Sequence, residues 1–165
     1  MIRLAKSEDA ARIAEIHVYG WRYAYRNIIS DSYLFGKLLV QKRVESFVKN
    51  IEQKIEETYV YEDNEAIKAF MTIGTCRNED KKDSFELWGI YVEPLFKGNG
   101  IGTQLIKYCE KCAIDRGYKE NMLWVFQDNK ESRSFYERIG YKPDGKEAII
   151  ERFNAKEIRY SRILN

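Results

Sequence analysis

Residues 97 to 102 read Lys97-Gly98-Asn99-Gly100-Ile101-Gly102, with Thr103 following. Glycines at alternate positions let a backbone turn tightly and bring its amides against a ligand. An apolar strand-like run ends just before this segment and a helical pattern starts at Ile101, so the first-turn amides of that helix are left unpaired. The helix dipole adds about half a positive charge at the same place. The combination is a cradle for a phosphate or pyrophosphate. A P-loop would need Gly-Lys-Ser/Thr at the helix start, where this chain has Gly100-Ile101-Gly102. A dinucleotide fingerprint would need a small residue where Thr103 stands and an acid ending a later strand, and the next strand ends in Val125-Phe126-Gln127. A tight turn with no ligand is the remaining alternative.

A second group lies downstream, in the string from Asn129 through Ser134, Phe135 and Tyr136 to Gly140 and Tyr141. A tyrosine hydroxyl can donate a hydrogen bond to developing negative charge, while packing beside Phe135 is the role any core aromatic can play. Glu86 is a carboxylate in an otherwise apolar strand, either a base or an outward residue at the strand start. Trp21 and Tyr25 belong to an aromatic stretch that either closes a core at a helix end or walls a binding site. Cys109 and Cys112 form a Cys-x-x-Cys, but inside a helical pattern, with no second pair and only His17 as a distant nitrogen ligand. Structural zinc takes four ligands, so no metal is expected.

These residues need elements to place them. Ser7 is a candidate N-cap for a helix with Ala10, Ile13, Ala14 and His17 on one face. Val40, Val44, Phe47, Val48, Ile51 and Ile55 form the stripe of a second helix, with Tyr19 to Tyr25 between the two. Thr58 to Glu62 and Ile67 to Thr75 are strands joined across Asp63-Asn64, and Asn78 to Asp83 is a solvated loop. Phe85 to Val92 and Met122 to Phe126 are buried strands, with a helix from Ile101 to Arg116 between them that Gly117 stops. Asp128 caps a short helix with Glu131 at the capping-box position, ended by Gly140. Lys142 to Ile150 and Glu157 to Leu164 complete the order β-α-α-β-β-β-α-β-α-β-β. That order describes an α/β or α+β protein with helices covering a mixed sheet.

Length and composition bound the rest. The 165 residues suit one domain, 1–165, and 44% hydrophobic content with 14% aromatic content argues against disorder. The net charge of +2 is the remainder of 28 basic and 26 acidic residues, so no whole-protein field draws the chain to nucleic acid or membrane. No run approaches the roughly 20 apolar residues that span a bilayer, and the first residues lack a signal-peptide core. Three cysteines are an odd, sparse set, expected to be reduced. A cytoplasmic location is the expectation.

The glycine segment, the Val92-Glu93-Pro94 strand end before it and the Asn129, Phe135-Tyr136, Gly140-Tyr141 string together resemble the GNAT superfamily of N-acetyltransferases. The motifs cover about Glu86 to Tyr141, and the element order fits over nearly the whole chain. The resemblance implies a central mixed, mostly antiparallel sheet, splayed at the cofactor site and flanked by about four helices. It implies acetyl-coenzyme A as acetyl donor, held by Tyr91, Val92, Lys97, Gly98, Asn99, Gly100, Ile101, Gly102, Thr103, Asn129, Ser134 and Tyr136. Tyr136 is then the acid or thiolate stabiliser and Glu86 the candidate base, while Trp21 and Tyr25 wall the acceptor, a small-molecule amine or a peptide N-terminus. Dimers are common in that family, so a homodimer is among the assemblies it allows. Lys97 stands where the family usually has Arg or Gln, which keeps the charge but loses the planar fork, and Ser134 replaces a common alanine. A coenzyme A-binding module without catalysis is the rival reading, and a nucleotide-binding regulator a further one.

Overall fold

The computed structural model describes residues 1–165. Strand β1 (Ile2–Leu4) is followed by helices α1 (Ala10–Ala24) and α2 (Val40–Glu52), then strands β2 (Glu57–Asp63), β3 (Ala66–Thr75) and β4 (Phe85–Val92). Helix α3 (Ile101–Asp115), strand β5 (Glu120–Phe126), helix α4 (Lys130–Arg138) and strands β6 (Lys142–Ile150) and β7 (Ala155–Ile163) complete the chain. The order matches the sequence reading. One seven-stranded sheet runs β1-β2-β3-β4-β5-β7-β6, antiparallel at every junction except β4 with β5. No helix is long and apolar enough to cross a membrane.

The sheet carries a core on each face. Helix α3 brings Ile101, Leu105, Ile106, Cys109 and Ala113 against Met71, Ile73, Phe85, Leu87 and Leu123. Full burial of a side chain such as Leu105 or Ile106 stabilises by about 1.5–3 kcal/mol. On the opposite face, α1 and α2 set Ala10, Ile13, Ala14, Ile16 and Phe47 on Val60 and Phe70. Gly20 lets α1 approach β4, since a Cβ there would lie 3.2 Å from the Tyr91 ring. His17 packs among Phe47, Phe70, Trp21 and Tyr91, and burial lowers its pKa to about 3.

The junction of β4 and β5 is what shapes the site. Their parallel pairing covers only Phe85, Glu86 and Leu87 against Asn121, Met122 and Leu123, after which the strands part. The cause is in β4: Leu87 pairs with Ile73 and Gly89 with Thr72, so Trp88 is an extra residue in the ladder. A bulge bends its strand and raises the local twist. It also resets the alternation, leaving Leu87, Ile90 and Val92 toward α3 while Tyr91 packs toward α1 and α2.

Several local expectations are corrected. Ser7 opens a short 3-10 turn, and α1 starts at Ala10; the polar anchor there is Asp9, which accepts from the Lys6 amide at 2.8 Å and from Arg3. Tyr19 to Ala24 continue α1 rather than linking two helices, and Ile55 lies past the end of α2, exposed. The β2–β3 turn is Asn64-Glu65, both at positive φ, one residue later than expected. The short helix is capped by Asn129, whose side chain accepts from the Ser132 amide at 3.2 Å, and not by Asp128. The Asn78 to Asp83 loop is tied down: Arg159 donates to Asp80, Lys81 to Glu120 and the Trp124 indole to Asn78.

Candidate active site

Two cavities, each of about 440 Å³, meet where β4 and β5 part. The first is built on backbone. It is lined by Phe96, Lys97, Gly98, Gly100, Ile101, Gly102 and Thr103 from the glycine segment, by Tyr91 and Val92 of β4, and by Glu131, Ser132, Phe135, Tyr136 and Arg138 of α4. Gly98 and Gly100 hold φ of 81° and 73°, a region that costs other residues roughly 1–3 kcal/mol. A Cβ on either would meet nothing within 4 Å, so their backbone faces open space. None of the amides from Gly98 to Thr103 donates to a backbone carbonyl. At Gly102 the reason for glycine differs: an added Cβ would press on the Phe135 ring at 3.2 Å, so the loop rests directly on α4. Unpaired amides at the N-terminus of a 15-residue helix fit the diphosphate of a coenzyme A.

The expected cofactor residues divide. Tyr91, Val92, Lys97, Gly98, Gly100, Ile101, Gly102, Thr103, Asn129 and Tyr136 line this cavity. Asn99 does not, because its amide turns back to donate to the Phe96 carbonyl at 3.2 Å. Ser134 does not either: it is on the solvent side of α4, and Ser132 and Arg138 line the wall instead. Lys97 Nζ lies 3.1 Å from Glu131 and 4.2 Å from the centre of the Tyr23 ring, spanning from the loop to α4 and α1.

The second cavity is built from side chains of distant segments. Trp21 and Tyr25 come from α1 and the residue after it, Arg77 and Asn78 from the β3–β4 loop, and Glu86, Trp88 and Tyr91 from β4. Trp124 and Phe126 of β5, Ile150 of β6, Phe153 of the turn between β6 and β7, and Glu157 of β7 close it. Tyr25, Ile90, Tyr91, Asn129, Ser132 and Tyr136 line both cavities and form the passage between them. The Trp21 indole donates to the Tyr91 hydroxyl at 3.0 Å, fixing both rings at that passage.

Helix α4 presents Tyr136 inward because it is pinned from outside: Arg133 donates to the Tyr160 hydroxyl, which donates in turn to Glu137 at 2.7 Å. Burial, with smaller contributions from Tyr91 and Cys109, raises the Tyr136 phenol well above its ordinary value, so it stays protonated and can only donate at neutral pH. Burial also raises Tyr25 and Tyr91. Glu86 is 1% exposed and accepts from Arg77 three times, at 2.6 Å from the guanidinium, 2.9 Å from the amide and 3.4 Å from Nε. Arg77 also lies over the Trp88 ring at 4.5 Å. Glu157, which the sequence reading placed only as the start of the last strand, lines the same cavity. Burial first and the charge of Glu86 raise its pKa, Arg77 opposes the shift, and no hydrogen bond contributes.

The family model described as "Acetyltransferase (GNAT) family" matches residues 21–141. The chain belongs to that family. Among curated relatives, an uncharacterised N-acetyltransferase, YuaI, of Bacillus subtilis (strain 168) is 29% identical over 144 residues, 87% of this chain and 79% of YuaI. A spermidine N(1)-acetyltransferase of Thermoplasma acidophilum is 25% identical over 157 residues, 92% of this chain and 95% of that protein. Among solved structures, the PaiA N-acetyltransferase of Thermoplasma acidophilum in complex with coenzyme A superposes with a TM-score of 0.79 at 20% identity, covering 96% of each chain. The splayed, mostly antiparallel GNAT sheet is therefore the architecture that forms the two cavities.

Proposed function

We propose that the protein transfers the acetyl group of acetyl-coenzyme A directly to a primary amine. The observation that carries this reading is the pair of cavities that meet at Tyr91 and Tyr136, one floored by unpaired helix N-terminal amides and the other by acidic and aromatic side chains. Direct transfer needs a donor and an acceptor that enter separately and touch at one point.

Acetyl-coenzyme A supplies a thioester carbonyl that an amine can attack. The amides from Gly98 to Thr103 hold its diphosphate, and the β5-facing backbone of β4 beyond Leu87, which has no strand partner, receives its arm. A backbone N–H on that open edge near Val92 is placed to donate to the carbonyl oxygen as charge develops there. Tyr136 donates to the departing sulfur. A coenzyme A thiol resembles cysteine, near 8.5, so a phenol raised above 10 gives up its proton uphill and acts by hydrogen bonding to the thiolate.

The amine must lose a proton to attack, and an alkylamine near 10.4 is almost fully charged at pH 7. Both oxygens of Glu86 are occupied by Arg77, so Glu86 orients Arg77 and Glu157 is the carboxylate free to receive that proton. Incubation with acetyl-coenzyme A and a panel of primary amines, read by thiol release and product mass, tests the reading. Acetylated amine is expected. Coenzyme A binding with no turnover on any amine would favour the non-catalytic module.

A further inference from the structure

The charges lining the acceptor cavity are three: Glu86, Arg77 and Glu157. The first two satisfy each other, and the Arg77 cation is further engaged by the Trp88 face. Glu157 is left without an ion pair or hydrogen bond, in a cavity walled mainly by the rings of Trp21, Tyr25, Trp88, Trp124, Phe126 and Phe153, with Asn78, Asn129 and Ser132 as its uncharged polar residues. We propose that the acceptor is a primary amine with one positive charge and an apolar or aromatic body, its ammonium seated on Glu157 and its body among these rings.

The charge balance argues for this class. With Glu86, Glu157 and Arg77 the cavity carries one net negative charge, which a single ammonium neutralises. A zwitterionic amino acid would leave the charge unbalanced and bring a carboxylate into a cavity whose one cation is already committed. Leaving such a group unpaired on desolvation is costly, and that cost is how a site rejects a near-isosteric competitor. A polyamine would bring further charges with no second free carboxylate to meet them. Aromatic faces add attraction for an ammonium through their ring quadrupoles and for a flat body through burial. This inference rests on the reading of the cavity as the acceptor site.

A matched set tests it: 2-phenylethylamine, phenylalanine, phenylalaninamide and spermidine, each with saturating acetyl-coenzyme A. We expect kcat/KM for 2-phenylethylamine to exceed those for phenylalanine and for spermidine at least tenfold, with phenylalaninamide above phenylalanine because it lacks the carboxylate. Glu157→Gln should lower kcat/KM for 2-phenylethylamine at least tenfold and leave the Kd of coenzyme A, measured by calorimetry, unchanged. A smaller preference, or an unaffected Glu157→Gln enzyme, overturns the proposal while acetyl transfer stands. Binding of acetyl-coenzyme A with no turnover on any of the four also overturns it. Failure of the protein to bind acetyl-coenzyme A at all overturns the acetyltransferase reading itself.

Discussion

The two cavities have the same volume and opposite construction. The proposed cofactor cavity is built around one continuous stretch, Gly98 to Thr103, whose amides donate to no backbone carbonyl. The acceptor cavity draws side chains from α1, the β3–β4 loop, β4, β5, β6 and β7, no two of its charged groups being sequence neighbours. A site made of backbone constrains residue type wherever φ or close approach demands glycine. A site made of side chains constrains only which rings and charges happen to converge, so it can change acceptor without disturbing the donor half.

The sharpest way to break this contrast is Gly100→Val. The φ of 73° is strained for a β-branched residue, and its side chain would project into the open space over the amides. Acetyl-coenzyme A affinity should fall more than a hundredfold by calorimetry, with the helical circular dichroism retained. Unchanged affinity would mean that the backbone does not form the donor site.

Tyr136 belongs to both cavities, so it probes the chemistry between them. Tyr136→Phe keeps the ring against Tyr141 and Tyr160 and removes only the hydroxyl. A lost hydrogen bond to a charged group is worth about 1.5–3 kcal/mol, so kcat should fall roughly tenfold to somewhat over a hundredfold while both KM values hold. Because its pKa is raised above 10, Tyr136 keeps its proton through pH 10, and any alkaline fall in kcat below that pH must come from another group. Full kcat in the variant, with chemistry rate-limiting, removes the hydroxyl from the mechanism.

The same division governs what the sequence revealed. Glycine spacing before a helical pattern located the loop cavity, and the Asn129-to-Tyr136 string located its α4 wall, because both encode local geometry. Glu157 was invisible: a glutamate at a strand start has the pattern of a solvated residue, and only the β5–β7 pairing that sets it opposite Phe126 brings it to the cavity. Glu86 was noticed for its apolar surroundings, but its partner Arg77 lies in a loop whose path no periodicity predicts. The bulge at Trp88 leaves no sequence mark either, although it decides where β4 parts from β5. Asn129 displaced Asp128 as cap because either side chain can cap and only the loop geometry chooses.

Gly74→Ala tests whether the acceptor half can be altered alone. An added Cβ would lie 2.7 Å from the Trp88 indole, closer than real contacts allow, so the ring must shift from the acceptor wall. Trp88 does not line the cofactor cavity. The KM of the acceptor should rise about three- to tenfold, by loss of part of one aromatic contact, with the Kd of coenzyme A unchanged. A change in coenzyme A affinity of the same size would show that the two halves are coupled through β4.

The smallest expected effect tests whether side chains contribute to the donor half at all. Lys97 is the one cation of the glycine segment, and it is held by Glu131 at 3.1 Å and over Tyr23 at 4.2 Å. An incoming diphosphate must share Lys97 with that carboxylate, so Glu131 works against the cofactor. Glu131→Gln frees the ammonium and removes a negative charge from the cavity wall. Exposed pairs of this kind are worth about 0–1 kcal/mol, so the Kd of coenzyme A should tighten by no more than about fivefold, and the gain should shrink as salt rises. A tighter, salt-sensitive Kd places Lys97 on the phosphates as a screened charge beside the amides. A Kd that weakens instead would mean that Glu131 orients Lys97 for the ligand, and that side-chain geometry counts in the donor half as it does in the acceptor half.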